Sequence, residues 1–170
     1  YTESRIDTLI VDDKEVTDYN SSSKTYTALV DSKASEHEIF IMSANTYATL
    51  EINDDVDIGN ITTYVKIPEE DLVKELTLKV TTESGETENY TVRLIKKSTN
   101  VNVSEVIVND VTLYPKEDCK DIYEKSIKKL ADKAKIKIVT EYPYAHIKIA
   151  DCDEKIGVSE EWVNLSLDED

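Results

Sequence analysis

The chain carries none of the short signatures that mark common enzymes: it has no G-x-S-x-G, no H-E-x-x-H and no phosphate-binding P-loop. A non-catalytic protein is therefore the expectation. Cysteine is scarce, with Cys119 and Cys152 alone among 170 residues, and neither belongs to a C-x-x-C pair. With only His37 and His146 beside them they form a poor zinc set, because a tetrahedral site needs closely spaced ligands. Whether the two thiols form a disulfide or stay unpaired is left open by their spacing. Long hydrophobic runs are missing as well. No window approaches the roughly 18 apolar residues of a membrane helix, and the first residues lack a basic-then-apolar leader, so neither membrane insertion nor an export signal is expected of this segment. Positive charge is short too: 20 Lys and Arg face 36 Asp and Glu for a formal charge of −16, with Arg5 and Arg93 the two arginines. Nucleic acid, whose phosphates require a basic stripe, is excluded as a partner.

What the chain does contain is Val, Ile and Tyr, side chains that fit a pleated, half-buried surface. It also contains a repeat. Tyr47-Ala48-Thr49-Leu50-Glu51-Ile52 returns as Tyr144-Ala145-His146-Ile147-Lys148-Ile149, an offset of 97 residues. Val11-Asp12-Asp13 meets Val108-Asn109-Asp110 at the same offset, Tyr26 meets Tyr123, and Ile39-Phe40-Ile41-Met42 meets Ile136-Lys137-Ile138-Val139. Gly59 then meets Gly157 and Tyr64-Val65-Lys66-Ile67 meets Trp162-Val163-Asn164-Leu165 at an offset of 98, which places one inserted residue in the intervening loop. Four blocks in one register, with aromatic positions among them, indicate tandem units, residues 1–97 and 98–170.

Taken in order, Ile6–Val11 reads as an edge strand closed by an Asp turn, Asp18–Lys24 as a polar loop, and Tyr26–Val30 as a second strand. Glu38–Ser43 sets Ile39, Ile41 and Ser43 on one face and Phe40 and Met42 on the other. Ala48, Leu50 and Ile52 alternate with Thr49 and Glu51, and Val65 and Ile67 with Tyr64 and Lys66. Glu69–Lys74 has the composition of a single helical turn. Leu76–Val80 and Tyr90–Ile95 form a hairpin about Gly85, and the polar stretch Lys96–Asn100 connects the units. About seven strands in some 95 residues predict an all-β, two-sheet antiparallel sandwich. Glu117–Lys135 alone shows helical spacing; repeat register nevertheless assigns part of it to the strand that Tyr26 begins in the first unit.

The segment Leu76-Thr-Leu-Lys-Val-Thr-Thr-Glu-Ser-Gly-Glu-Thr-Glu-Asn-Tyr-Thr-Val-Arg-Leu94, with Leu9-Ile10-Val11 before an Asp turn, the Tyr26 strand and Ala48–Ile52, resembles the bacterial cadherin-like β-sandwich repeat. That family's members are extracellular Ig-like modules of Gram-positive surface proteins. The resemblance implies tandem antiparallel sandwiches acting as spacer or interaction and adhesion surface of a secreted or wall-attached protein, with no enzymatic residues. A protein or a cell-wall glycan would be the partner. The counterpart of the Leu76–Ile95 hairpin is missing before Asp170, so the second sandwich is expected to lack its last two strands and to offer an open edge for self-association.

Two groups of residues are candidate sites. Asp54, Asp55 and Asp57 supply clustered carboxylates on one loop, which suits Ca²⁺, although the spacing lacks the fixed Gly and closing Glu of a calcium loop, and a solvated turn is the competing account. No other cofactor is expected. Trp162, with Tyr142 and Tyr144, could line a flat sugar-binding face, as in a carbohydrate-binding module of an exported glycoside hydrolase or adhesin; packing or sheet cover is the competing role.

Overall fold

A computed structural model describes residues 3–117, 121–127 and 131–165. The chain is all-β, with no helix among the described residues, and divides into two compact units, Tyr1–Lys97 and Ser98–Asp170.

The first unit holds β1 (Ile6–Val11), β2 (Lys14–Glu15), β3 (Tyr19–Asn20), β4 (Thr25–Val30), β5 (His37–Ser43), β6 (Thr49–Ile52), β7 (Asp55–Ile58), β8 (Asn60–Val65), β9 (Val73–Thr81) and β10 (Thr87–Lys96). One sheet runs β2-β1-β5-β8 and the other β3-β4-β10-β9-β6-β7. Alternation decides what each strand buries. Ile39 and Ile41 from the first sheet, and Leu50, Leu78, Val80, Val92 and Leu94 from the second, are all fully buried in one cluster. Their intervening neighbours, such as Glu51 and Lys79, face solvent and pair with each other across the strands. At about 2 kcal/mol for each such aliphatic side chain removed from water, this cluster is the main favourable term for the unit.

β1 departs from strict alternation. Its pairing with β5 shifts register between Ile6 and Thr8, a bulge that lets Ile6, Leu9 and Val11 all face inward. Asp12 and Asp13, both at positive φ, then make the two-residue turn that pairs Val11 with Lys14.

The second unit holds β11 (Val103–Val108), β12 (Val111–Leu113), β13 (Lys133–Thr140), β14 (His146–Ile147), β15 (Lys155–Ile156) and β16 (Val158–Asn164), in a sheet β12-β11-β13-β16 and a two-stranded sheet β14-β15. Its pairings repeat those of the first unit at the sequence offset. The bulge recurs between Val103 and Glu105, and Asn109-Asp110 again takes positive φ before Val108 pairs with Val111. Thr49 pairs with Ile58 in β6-β7 as His146 pairs with Ile156 in β14-β15. Its core is smaller: Val106, Val108 and Ala134 are buried, and Ile136 is only partly covered where Ile39 is fully buried.

Several sequence expectations are corrected. Ile6–Val11 is not an edge strand, because the two-residue β2 covers its outer side. Asp18–Lys24 is not all loop, since β3 pairs Tyr19 with Tyr26. The first unit is not wholly antiparallel: β4 runs parallel to β10 from Thr25–Thr91 to Val30–Lys96. Glu69–Lys74 makes a turn and the start of β9 rather than a helical turn. Lys96 is no connector residue; it ends β10, is buried, and its Nζ donates to the Pro68 and Glu69 carbonyls. Tyr123, matched to Tyr26, lies in no strand: the described residues 121–127 form neither strand nor helix, and Tyr123 instead packs partly buried on the small core.

Candidate functional site

One concavity lies at the corner between β5 and β6. Ser43, Asn45 and Thr82 around it are buried, and the chain turns through a set of short hydrogen bonds. Asn45 N donates to Ser43 Oγ at 3.2 Å, Asn45 Oδ1 accepts from Tyr47 N at 3.1 Å, and Ala48 N donates to Asn45 O at 3.0 Å. An Asn side chain folded back on the backbone two residues on is the usual way such a turn is fixed. Gly59 closes the corner from behind. Its φ is +78°, its N donates to Ala48 O at 2.9 Å, and a Cβ there would stand 2.6 Å from the Thr46 carbonyl oxygen. Only glycine fits. Gly157 does the same against Pro143 in the second unit, which explains why both glycines stand in the repeat register.

Across the corner stands the β9-β10 turn. Thr49 pairs with Thr81, and the same antiparallel register continued outward sets Tyr47 opposite Glu83. Thr82 pins that turn, since its N donates to Glu86 O at 2.9 Å and its Oγ1 accepts from Glu86 N at 3.2 Å. Ala44, Asn45, Thr46, Tyr47 and Glu83 thus line a cleft of about 370 Å³. Tyr47 is 69 % exposed, whereas Asn45 is 2 % exposed and its Nδ2 has no hydrogen-bond partner.

The acidic loop is used for its own fold. Asn53 and Asp54, at φ 50° and 68°, are the two-residue turn of the β6-β7 hairpin. Asp55 Oδ2 accepts from Thr63 Oγ1 at 2.6 Å, and Asn53 Nδ2 donates to the same hydroxyl at 3.3 Å. Asp57 Oδ1 accepts from Ile58 N at 2.8 Å. Asp54, Asp55 and Asp57 therefore do not converge; no group of three or more His, Cys, Asp or Glu close enough to hold a metal occurs among the described residues.

The three aromatic candidates are also separated. Tyr142 and Tyr144 meet edge-to-face with centroids 5.8 Å apart, at the second-unit counterpart of the Asn45–Tyr47 corner. Burial pushes the Tyr142 hydroxyl above its ordinary pKa, and beside it Asn100 and Asn102 donate to Glu141, holding that carboxyl below the usual range. Trp162, 62 % exposed, sits on the outer face of β16 opposite Lys135, whereas Tyr142 follows the far end of β13. Lys135 to Thr140 is five steps of strand, about 17 Å, before the chain bends toward Tyr142, so Trp162 and the tyrosine pair stand near opposite ends of β13.

His37 and His146 each pair with a carboxylate of their own unit. His37 Nδ1 lies 2.7 Å from Asp12 Oδ2 with its ring fully buried and Nε2 without a partner; His146 Nδ1 lies 2.6 Å from Glu154 Oε1 at the surface. Cys152 is half-buried in the β14-β15 loop, and Cys119 lies outside the described residues, as does the question of their pairing. No helix among the described residues is long and apolar enough to cross a membrane.

Sequence reasoning missed the Asn45–Tyr47–Glu83 cleft. Tyr47 was visible as a repeated aromatic, but its approach to Glu83 depends on the register of β6 with β9, and the unpartnered amide depends on burial. Family models, curated proteins and solved structures alike give no match to this chain.

Proposed function

We propose that the chain is a tandem pair of cadherin-like, Ig-like β-sandwich modules, non-catalytic and extracellular, that serve as spacer and interaction surface of a larger secreted or wall-attached protein. The observation that supports this is the repetition of specific backbone hydrogen bonds. Ser43 N to Gly59 O (2.9 Å) returns as Thr140 N to Gly157 O (3.0 Å), Asp12 N to Glu38 O (3.0 Å) as Asn109 N to Lys135 O (2.9 Å), and Ala44 N to Arg5 O (3.0 Å) as Glu141 N to Asn102 O (3.0 Å). Chains that repeat one supersecondary plan are characteristically arrays whose units present surfaces rather than enclose chemistry. The acidic, Lys-rich exterior favours solubility and discourages nonspecific contact with anionic polymers.

The test is surface exposure on the producing cells. An antibody against the chain should label intact cells or the medium, and added protease should remove the cell-bound signal without lysis. Signal that appears only after lysis would refute an extracellular module.

A further inference from the structure

We propose that the outer face of the β1-β5-β8 sheet in the first unit docks on the outer face of the β11-β13-β16 sheet in the second unit of another copy of this chain. Such a contact goes beyond the spacer role and does not depend on it. A sandwich sheet ordinarily turns polar residues to water on the face away from its core. The other sheet of the first unit does so: its central strands β9 and β10 point Glu75, Thr77, Lys79, Thr91 and Arg93 outward. Strands β1, β5 and β8 do not. Because Leu9, Ile39, Ile41 and Ile61 fill the core, Ile10, Phe40 and Met42 are turned the opposite way and remain half-buried, with Ile10 paired to Phe40. Tyr64, beside Glu38 on the same face, is 55 % exposed. The second unit repeats the pattern. Val106, Val108 and Ala134 face its core, so Ile107 and Val139 point outward, next to Val158 and to Trp162, which stands where the first unit has Tyr64. Apolar side chains gathered on an exposed sheet face mark an interaction surface.

Charge selects the partner. Glu15, paired with Ile10, and Glu38, paired with Tyr64, bring negative charge to the first face. On the second, Lys133, Lys135 and Lys137 occupy alternate positions of β13 and outnumber Glu105 and Glu160. At equivalent places the repeat thus exchanges Glu38 for Lys135. Lys135 is engaged by Glu160 at 2.7 Å, whereas Lys133 and Lys137, like Glu15 and Glu38, form no ion pair with any described residue. Two copies of the first face would repel each other, as would two of the second, while one of each attracts. The overall charge of −16 opposes association only weakly, because salt screens it beyond about 8 Å at physiological ionic strength. Three strands about 4.8 Å apart and six residues long present roughly 15 by 20 Å. A docked pair therefore buries under about 1,000 Å² in all, the size of a weak, reversible contact.

The experiment measures the weight-average mass of the whole chain by sedimentation equilibrium from about 10 µM to about 1 mM, in about 50 mM and about 500 mM NaCl. In the lower salt the mass should rise above the 19.3 kDa of one chain as concentration grows. The association constant should fall at least about threefold in the higher salt. Glu38→Lys and Lys137→Glu, both at the surface, should each weaken association about tenfold, and Trp162→Ala by a similar factor. An equimolar mixture of the two charge variants should associate severalfold more strongly than either alone, since the lysine-bearing first face of one then meets the glutamate-bearing second face of the other. A mass of one chain throughout the range in low salt would overturn the proposal. So would association that none of the three substitutions weakens, which would place the contact elsewhere, or charge variants that stay apart when mixed.

Discussion

Replacing Gly59 by alanine tests the corner that shapes both the first sandwich and its cleft. Two costs add. At φ +78° an L-residue carries about 1–2 kcal/mol of strain. The new methyl would also lie 2.6 Å from the Thr46 carbonyl oxygen, which is backbone and cannot swing aside like a side chain. Relief requires the Thr46 peptide to move, stretching the Asn45–Tyr47 and Ala48–Gly59 hydrogen bonds, for about another 1–3 kcal/mol. Gly59→Ala should therefore destabilise the first unit by about 2–5 kcal/mol. Gly85 provides the internal control. Its φ of +86° is similar, but nothing lies within 4 Å of where a Cβ would sit. Gly85→Ala should cost only the conformational part, about 1–2 kcal/mol. Urea unfolding followed through the methyl resonances of Val80 and Leu94 reports on the first unit alone, and the slope with urea should be unchanged. Equal losses in the two variants would refute the claim that contact with Thr46, rather than positive φ, fixes glycine at position 59.

Two further outcomes follow from the same structure. Tyr90 is buried, and desolvation together with nearby Tyr19, Glu88 and Tyr26 pushes its pKa up to about 12 from about 10. A neutral phenol held in the fold is ionised first in the unfolded chain, so its contribution is intact below pH 10 and is lost as pH rises from about 10 to 12, by about 2 kcal/mol. Urea midpoints across that window should fall in the parent and fall less in Tyr90→Phe; equal slopes would contradict this. The Asp12–His37 contact should behave as a coupled pair: Asp12→Asn should cost about 1–3 kcal/mol in the parent and under about 0.5 in a His37→Ala background. The reason is that the second unit already has Asn109 and Ala134 at those positions, with Asn109 Oδ1 accepting from Lys135 N at 2.8 Å. Additive losses in a double-mutant cycle would remove the coupling.

Much of the first unit was legible because its signals are local. The period-two alternation of Thr49–Ile52 and Val73–Thr81 is set by which face is buried, and the Gly85 hairpin joins neighbours in sequence. The one-residue change of offset was also readable, and it falls where the Asn53-Asp54 turn of the first unit becomes the longer loop around Ala150 and Cys152 in the second. What depended on distant partners was not. Parallel pairing of β4 with β10 joins segments more than 60 residues apart, and no residue in Thr25–Val30 encodes strand direction. Tyr123 keeps the aromatic character of Tyr26, but Tyr26 pairs with Tyr19 and Val92, and those pairings have no described equivalent around Tyr123. The geometry of the candidate residues also depends on distant partners. Trp162 and Tyr144 are 18 positions apart in sequence, which says nothing of their separation along a sheet, and the carboxylates of Asp55 and Asp57 were already engaged by Thr63 and their own turn.

The most direct test of the shared plan is residue-resolved amide hydrogen exchange in the native protein. Ser43, Gly59 and Asp12 in the first unit, and Thr140, Gly157 and Asn109 in the second, each donate to a backbone carbonyl at 2.9–3.0 Å. All six amides should exchange at least about a hundredfold more slowly than in an unfolded chain. Protection of the first three with free exchange of the last three would contradict a common architecture for the two units.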